Sequence, residues 1–130
     1  MAILGLGTDI VEIARFSERL ERMGEEKAER FAARILTPDE LEAWLTHSDP
    51  ARLLAKRFAV KEAAAKALGT GIGRGVSFQH IELCHDAWGA PQLQLSDGAL
   101  ERLRQLGGQH CHVSLSDERH YAMATVILER

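Results

Sequence analysis

Residues 52–75 read RLLAKRFAVKEAAAKALGTGIGRG, a cation-bearing helix pattern that runs into a glycine-rich turn. At 100° per residue, Leu53, Leu54, Phe58, Val60 and Leu68 form one broad apolar arc, and Arg57 and Lys61 fall in the middle of it. Glu62 and Lys66 lie on a different side, with Arg52 and Lys56 near them. A face made only for dry contact would not carry two cations, because a charge removed from water needs a partner. An anion sharing that contact is one reading. The other is that the Arg and Lys stems lie on apolar surface with their heads in water. Glu62 and Lys66 are, on spacing alone, equally a simple i,i+4 helix pair. The turn Gly69-Thr70-Gly71-Ile72-Gly73-Arg74-Gly75 would let backbone N–H groups approach an anion. It comes after a helix instead of opening one, so it is not a phosphate-binding loop of the Walker type. A plain flexible loop is the alternative.

A second residue of interest stands at the other end of the chain. Asp9 lies inside an apolar run, residues 2–13, that reads as a strand broken by Gly5 and Gly7. Aspartate is depleted in strands. It is either an N-cap for the next helix or a local turn residue, or a metal ligand or general base held on a rigid element. Periodicity and capping give the elements that must position these groups. Residues 12–23 read as an amphipathic helix with Ile13, Phe16, Leu20 and Met23 inward and Arg15, Glu18, Arg19, Glu21 and Arg22 outward. That outer face is a solvated surface or a landing site for an acidic partner. Residues 25–36 form a second helix, with Ala28, Phe31, Ala32 and Ile35 inward.

Thr37-Pro38-Asp39-Glu40 is a helix start with a capping box, and that helix runs to about residue 46. Asp49-Pro50 repeats the signal and opens the long helix, which Gly69 ends. Residues 76–84 read as a strand whose alternation slips at Gln79-His80, through a bulge or a late start. A hairpin-like turn at 86–91, a short strand around Leu93 and Leu95, and a helix from Ser96 or Asp97 to Leu106 come next. Residues 111–116 form a strand with Val113 and Leu115 on one face and His112, Ser114 and Ser116 on the other. The last strand, 121–129, is apolar on both faces, which predicts cover on both. This order predicts an α+β fold, a small antiparallel sheet packed with helices, in one domain spanning 1–130. A net charge of −3 does not point to nucleic acid, and no apolar run reaches membrane-spanning length. Two cysteines without CxxC spacing, and no basic-plus-apolar leader, predict a reduced, cytoplasmic protein.

Three segments together resemble the short bacterial holo-acyl-carrier-protein synthases of the 4′-phosphopantetheinyl transferase superfamily. They are GLGTDIVE (5–12), RFAVKEAAAKALGTG (57–71) and HVSLS (112–116), in matching order, with the Thr37-Pro38 helix start between them. The similarity covers essentially the whole chain, in its single-unit form.

The resemblance implies Mg²⁺-dependent transfer of 4′-phosphopantetheine from coenzyme A to a serine of an apo acyl carrier protein, releasing adenosine 3′,5′-bisphosphate. It places Asp9 and Glu62 as metal ligands, Arg57 and Lys61 against the coenzyme phosphates, and Lys66 at the leaving phosphate. It places His112 on the coenzyme and Gly69-Thr70-Gly71 around the nucleotide. Glu62 is the first candidate for the general base and Asp9 the second. A homotrimer with the coenzyme site between subunits is implied, and the acidic carrier docks on the first helix, through Arg15, Arg19 and Arg22. One departure is present: Ser116-Asp117-Glu118 stands where many members carry a histidine. A silent module that binds coenzyme A or a carrier protein, and a structural trimer, are the competing classes.

Overall fold

The computed structural model describes residues 2–130. Its strands are β1 (Ile3–Glu12), β2 (Ile81–His85), β3 (Pro91–Leu95), β4 (His110–Asp117) and β5 (Tyr121–Glu129). Its helices are α1 (Ile13–Glu21), α2 (Glu25–Ile35), α3 (Pro38–Leu45), α4 (Pro50–Leu68) and α5 (Asp97–Gln105). The α+β class holds, but the strands divide into two antiparallel sheets, β1-β5-β4 and β2-β3. Among the described residues no helix is long and apolar enough to cross a membrane.

The long helix α4 is the axis of the molecule. Asp49 caps it by accepting the amide of Arg52, Pro50 occupies its first turn, and Gly69 closes it in the left-handed conformation at φ 78°. Ala55, Ala59, Ala63 and Ala67 recur every fourth residue and are all buried. This stripe of small side chains lets the sheet come close on one side, while Leu54, Val60 and Leu68 fill the core. Each of those fully buried side chains contributes about 1.5–3 kcal/mol of burial free energy.

β1 meets this stripe backbone to backbone. A Cβ placed on Gly7 would overlap the carbonyl oxygen of Ala63, and one on Gly5 that of Ala67. The two glycines are therefore required by close approach and not by flexibility. Gly7→Ala is expected to destabilise the fold by about 2–3 kcal/mol, the upper range for overpacking, measured by urea denaturation. A loss below about 0.5 kcal/mol would mean that β1 can shift freely along α4.

Three expectations from sequence change here. The slip at Gln79-His80 is a single 3-10 turn, Phe78–His80, so β2 begins only at Ile81. The amide of Ser77 donates to His80 Nδ1 across that turn, at 3.2 Å, which is why the alternation fails there. The last strand is covered on one face only within this chain. Ala122, Ala124, Val126 and Leu128 face α4 and are buried, whereas Met123 keeps 45% of its surface exposed. Leu6 and Ile10 on β1 share that open face, at 64% and 61% exposed, with Ile10 paired across to Met123 and Leu6 to Ile127. Asp9 caps nothing: it lies mid-strand, opposite Ala124, on the inner side of β1 with Gly7 and Val11.

Candidate active site

The alternation of β1 puts Asp9 on the face that touches α4, and the i,i+4 spacing of Glu62 and Lys66 puts both on the side of α4 that meets β1. The Lys66 ammonium lies 3.0 Å from Asp9 Oδ1 and donates to the Thr8 carbonyl oxygen at 2.9 Å. Burial, and then the negative charge of Asp9, push the Glu62 carboxyl above the usual glutamate range, while Lys66 pulls it back. Two carboxylates close enough to repel, with a cation between β1 and α4, form a compact charged cluster on rigid elements. The donor set fits Mg²⁺. It offers two hard carboxylates, too few for an all-protein cage but the number Mg²⁺ takes when waters and substrate phosphates complete its shell. Among the described residues, no cluster of three or more acidic, histidine or cysteine side chains offers a fuller cage.

A carboxyl whose folded pKa lies above its unfolded value destabilises the fold once it ionises. Its cost is absent at acid pH and appears as pH rises from the normal glutamate value toward the folded one. Glu62→Gln removes it. The variant is expected to melt about 1–2 °C higher at pH 7 and to show no gain at pH 4. A lower melting temperature at pH 7 would mean that the carboxylate is held by contacts stronger than its burial cost.

Lys61 departs from its expected role. It is fully buried, and its ammonium donates to Glu40 Oε1 at 2.6 Å, Ile35 O at 2.7 Å and Phe78 O at 3.1 Å. All three N–H groups are used, so none is left for a coenzyme phosphate. The anion that a cation in the apolar arc demands is Glu40, the residue that also closes the α3 capping box. Glu40 Oε2 accepts the amide of Leu83 at 3.0 Å, so one carboxylate ties α3, α4 and β2 together. The capping-box spacing revealed Glu40, but not its second job.

Arg57 is only partly used by the same carboxylate. Its Nε is 3.9 Å from Glu40 Oε2 and is buried without a hydrogen-bond partner. Arg57 lines a cavity of about 310 Å³ with Arg52, Lys56, His47 and His85. Asp117 reaches into this cationic set, 2.9 Å from Arg52 Nη1 and 3.6 Å from Lys56 Nζ. The Asp117 carboxylate thus pins the β4–β5 turn to α4, and Arg52 adds bonds to the carbonyls of Glu118 and Arg119.

The glycine turn after α4 is a helix terminus. The amide of Gly69 donates to Lys66 O, and those of Thr70 and Gly71 to Ala65 O, so these N–H groups cradle no anion. Arg102 Nε adds a bond to Leu68 O at 2.9 Å. His112 stands on the open face of the sheet, 3.0 Å from Glu129 Oε1, across the sheet from Asp9. Cys84 and Cys111 are free thiols, and burial pushes Cys111 up to about 11, out of the reactive range.

A separate face is built by α1 and α2. Phe16, Phe31, Phe58 and Phe78 form a chain of rings with centroids 5.4–6.3 Å apart. They floor a cavity of about 240 Å³ rimmed by Arg15, Arg19 and Arg34. Arg19 stacks 4.4 Å over the Phe31 ring. Beside it, Lys27, Arg30 and Arg34 of α2 extend the basic rim. Arg22, exposed at the end of α1, lines neither cavity. Sequence reasoning missed the α2 cations, although their 3,4 spacing places them on one helix face.

The profile of the 4′-phosphopantetheinyl transferase superfamily matches residues 5–126. The chain belongs to that superfamily. It is a transferase of the holo-acyl-carrier-protein synthase group, since its relatives carry that name over their full length. The holo-[acyl-carrier-protein] synthase of Shewanella frigidimarina is 63% identical over 129 residues, covering 99% of both chains. The crystal structure of the Neisseria meningitidis enzyme of that name superposes with a TM-score of 0.88 at 41% identity, covering 99% of this chain and 100% of that one. The Helicobacter pylori enzyme, solved in complex with coenzyme A, gives 0.79 at 32% identity over 95% of this chain and 99% of its own.

Proposed function

We propose that this protein is a holo-acyl-carrier-protein synthase. In this reading it transfers 4′-phosphopantetheine from coenzyme A to a serine of apo acyl carrier protein, with Mg²⁺, and releases adenosine 3′,5′-bisphosphate. The observation that carries the reading is the convergence of Asp9 from β1 with Glu62 and Lys66 from α4. Asp9 and Glu62 are the residues that would hold Mg²⁺, which when bound supplies positive charge to the coenzyme pyrophosphate as the anhydride breaks. Glu62 is the first candidate to take the proton of the carrier serine. Asp9 is the second candidate for that proton. The serine oxygen bonds to the phosphorus bearing pantetheine, the bond to the bridging oxygen breaks, and Lys66 offsets the charge of the departing bisphosphate. The unpartnered Nε of Arg57, in its cationic cavity, suits a further phosphate of the coenzyme.

The α1–α2 face suits an acidic carrier with an apolar side chain at its centre: arginines form the rim and phenylalanines the floor. Reversing Arg15, Arg19 and Arg34 to Glu together is expected to raise the KM for carrier protein about 10²-fold with the KM for coenzyme A unchanged. An unchanged carrier KM would move docking elsewhere. The open sheet face of Leu6, Ile10 and Met123 suits self-association, and a homotrimer is the form we propose. His112 lies on that face, so it would reach the coenzyme at a neighbouring copy's Asp9 cluster and not at its own. The cytoplasm is the compartment we propose, one that suits two free thiols.

The deciding experiment is intact-mass spectrometry of apo acyl carrier protein incubated with this protein, coenzyme A and Mg²⁺, with and without chelator. A chelator-sensitive gain of one phosphopantetheine is expected. Coenzyme binding without any gain would favour a silent binding module, and neither binding nor gain would end the reading.

A further inference from the structure

We propose that the Lys66 ammonium is the internal occupant of the cation position at Asp9, and that a divalent ion enters by displacing it. This rests on the reading of Asp9 and Glu62 as metal ligands. The Lys66 Nζ bridges Asp9 Oδ1 at 3.0 Å and the Thr8 carbonyl oxygen at 2.9 Å. A carboxylate oxygen and a neighbouring carbonyl oxygen, both facing α4, are hard donors of the kind a divalent cation takes. The ammonium therefore sits where such an ion would find its first ligands.

Charge makes the two occupants exclusive. Asp9, Glu62 and Lys66 sum to −1 − 1 + 1 = −1, a state in which the ammonium holds one carboxylate and leaves the other uncompensated. A dication arriving with the ammonium still bridging would place like charges within a few ångströms, and that repulsion is strong in a partly desolvated cleft. The Lys66 side chain is able to leave. It is 51% exposed, it sits on a flexible stem, and its hydrogen-bond partners among the described residues are Thr8 and Asp9 alone. Asp9 is not able to follow: its side chain is 17% exposed, and its strand is locked against α4 through Gly5 and Gly7.

The exchange gives the site an order of events. Without metal, the cation that should meet the coenzyme phosphates is engaged by Asp9. Metal binding at Asp9 releases that cation toward the cleft. Metal and coenzyme then bind with positive coupling, because the first frees a positive group for the second.

Two measurements test this. In crystals of the full chain soaked with Mn²⁺, the ion is expected at Asp9 with the Lys66 Nζ withdrawn from both Asp9 and Thr8. An ion at Asp9 with Lys66 still bridging overturns the exchange and leaves the metal reading intact. No ion at Asp9 removes the metal reading, and the exchange with it. In solution, Mn²⁺ titration followed by electron paramagnetic resonance is expected to show Lys66→Met binding about tenfold tighter than the parent. Lys56→Met, which removes a cation of the same helix held by Asp117, sets the size of a purely through-space charge effect and is expected to change affinity less than about twofold. Equal shifts in the two variants, or weaker binding by Lys66→Met, overturn the exchange.

Discussion

Lys61→Ala is expected to lower the free energy of unfolding by about 3–5 kcal/mol, the cost of breaking a buried ion pair from one side. The change removes three hydrogen bonds at once and leaves the Glu40 carboxylate, itself almost fully buried, without its nearest cation. Burial pushes the Lys61 ammonium down from the usual lysine range and Glu40 opposes that shift, so the pair stands or falls together. The double variant Lys61→Met with Glu40→Gln should recover part of the loss, because ammonium and carboxylate leave together, with Arg57 the one cation that loses its carboxylate. Denaturant unfolding of the two variants decides the matter, and a loss under about 1 kcal/mol for Lys61→Ala would sink the account. The folded fraction of Lys61→Ala should keep the parent KM for coenzyme A. A raised KM would return Lys61 to the phosphate-binding role that its helix position suggested.

Asp9→Asn and Glu62→Gln are each expected to cut kcat/KM for transfer by about 10³-fold while leaving the fold intact. The separation comes from exposure. The Asp9–Lys66 pair is partly open to solvent, and such pairs contribute about 1 kcal/mol or less to stability. In the proposed reaction the same carboxylate would hold the metal, so its loss would fall on transfer and not on the fold. Steady-state rates with apo carrier protein across a Mg²⁺ titration, beside melting curves of each variant, make the comparison. Transfer retained at ordinary Mg²⁺ by either variant would remove that residue from the metal site.

Much of the scaffold is legible because it is written in local chemistry. The Thr37–Glu40 capping box, the Asp49-Pro50 start and the Gly69 stop concern residues three or four apart, and all three are present in the fold. The pairing of Asp9 with α4 is legible through resemblance and through the oddity of an aspartate in a strand. The features that escape depend on distance along the chain. Nothing near Lys61 announces that its anion lies 21 residues earlier on another helix. Strand patterns give no sign that β2 and β3 leave the main sheet, since alternation reports a buried face and not a neighbour. The glycine turn resembles an anion cradle because glycine content does not say where the amides point; those of Gly69, Thr70 and Gly71 point back along α4, and that of Gly73 bonds to Val76 O. The second half of the docking face escapes because the periodicity of α2 reports only its inward residues.

The contact between Gly5, Gly7 and the α4 backbone has a consequence for how this enzyme tolerates change. Where two elements meet through side chains, a substitution anywhere in the layer between them lets one slide against the other. Here no such layer exists between β1 and the stretch of α4 that carries Glu62 and Lys66. The spacing of the backbone positions that carry Asp9, Glu62 and Lys66 is set by main-chain atoms, which no amino-acid exchange elsewhere alters. Drift in the surrounding core should therefore reach activity through the amount of folded protein, while turnover per folded molecule stays nearly constant.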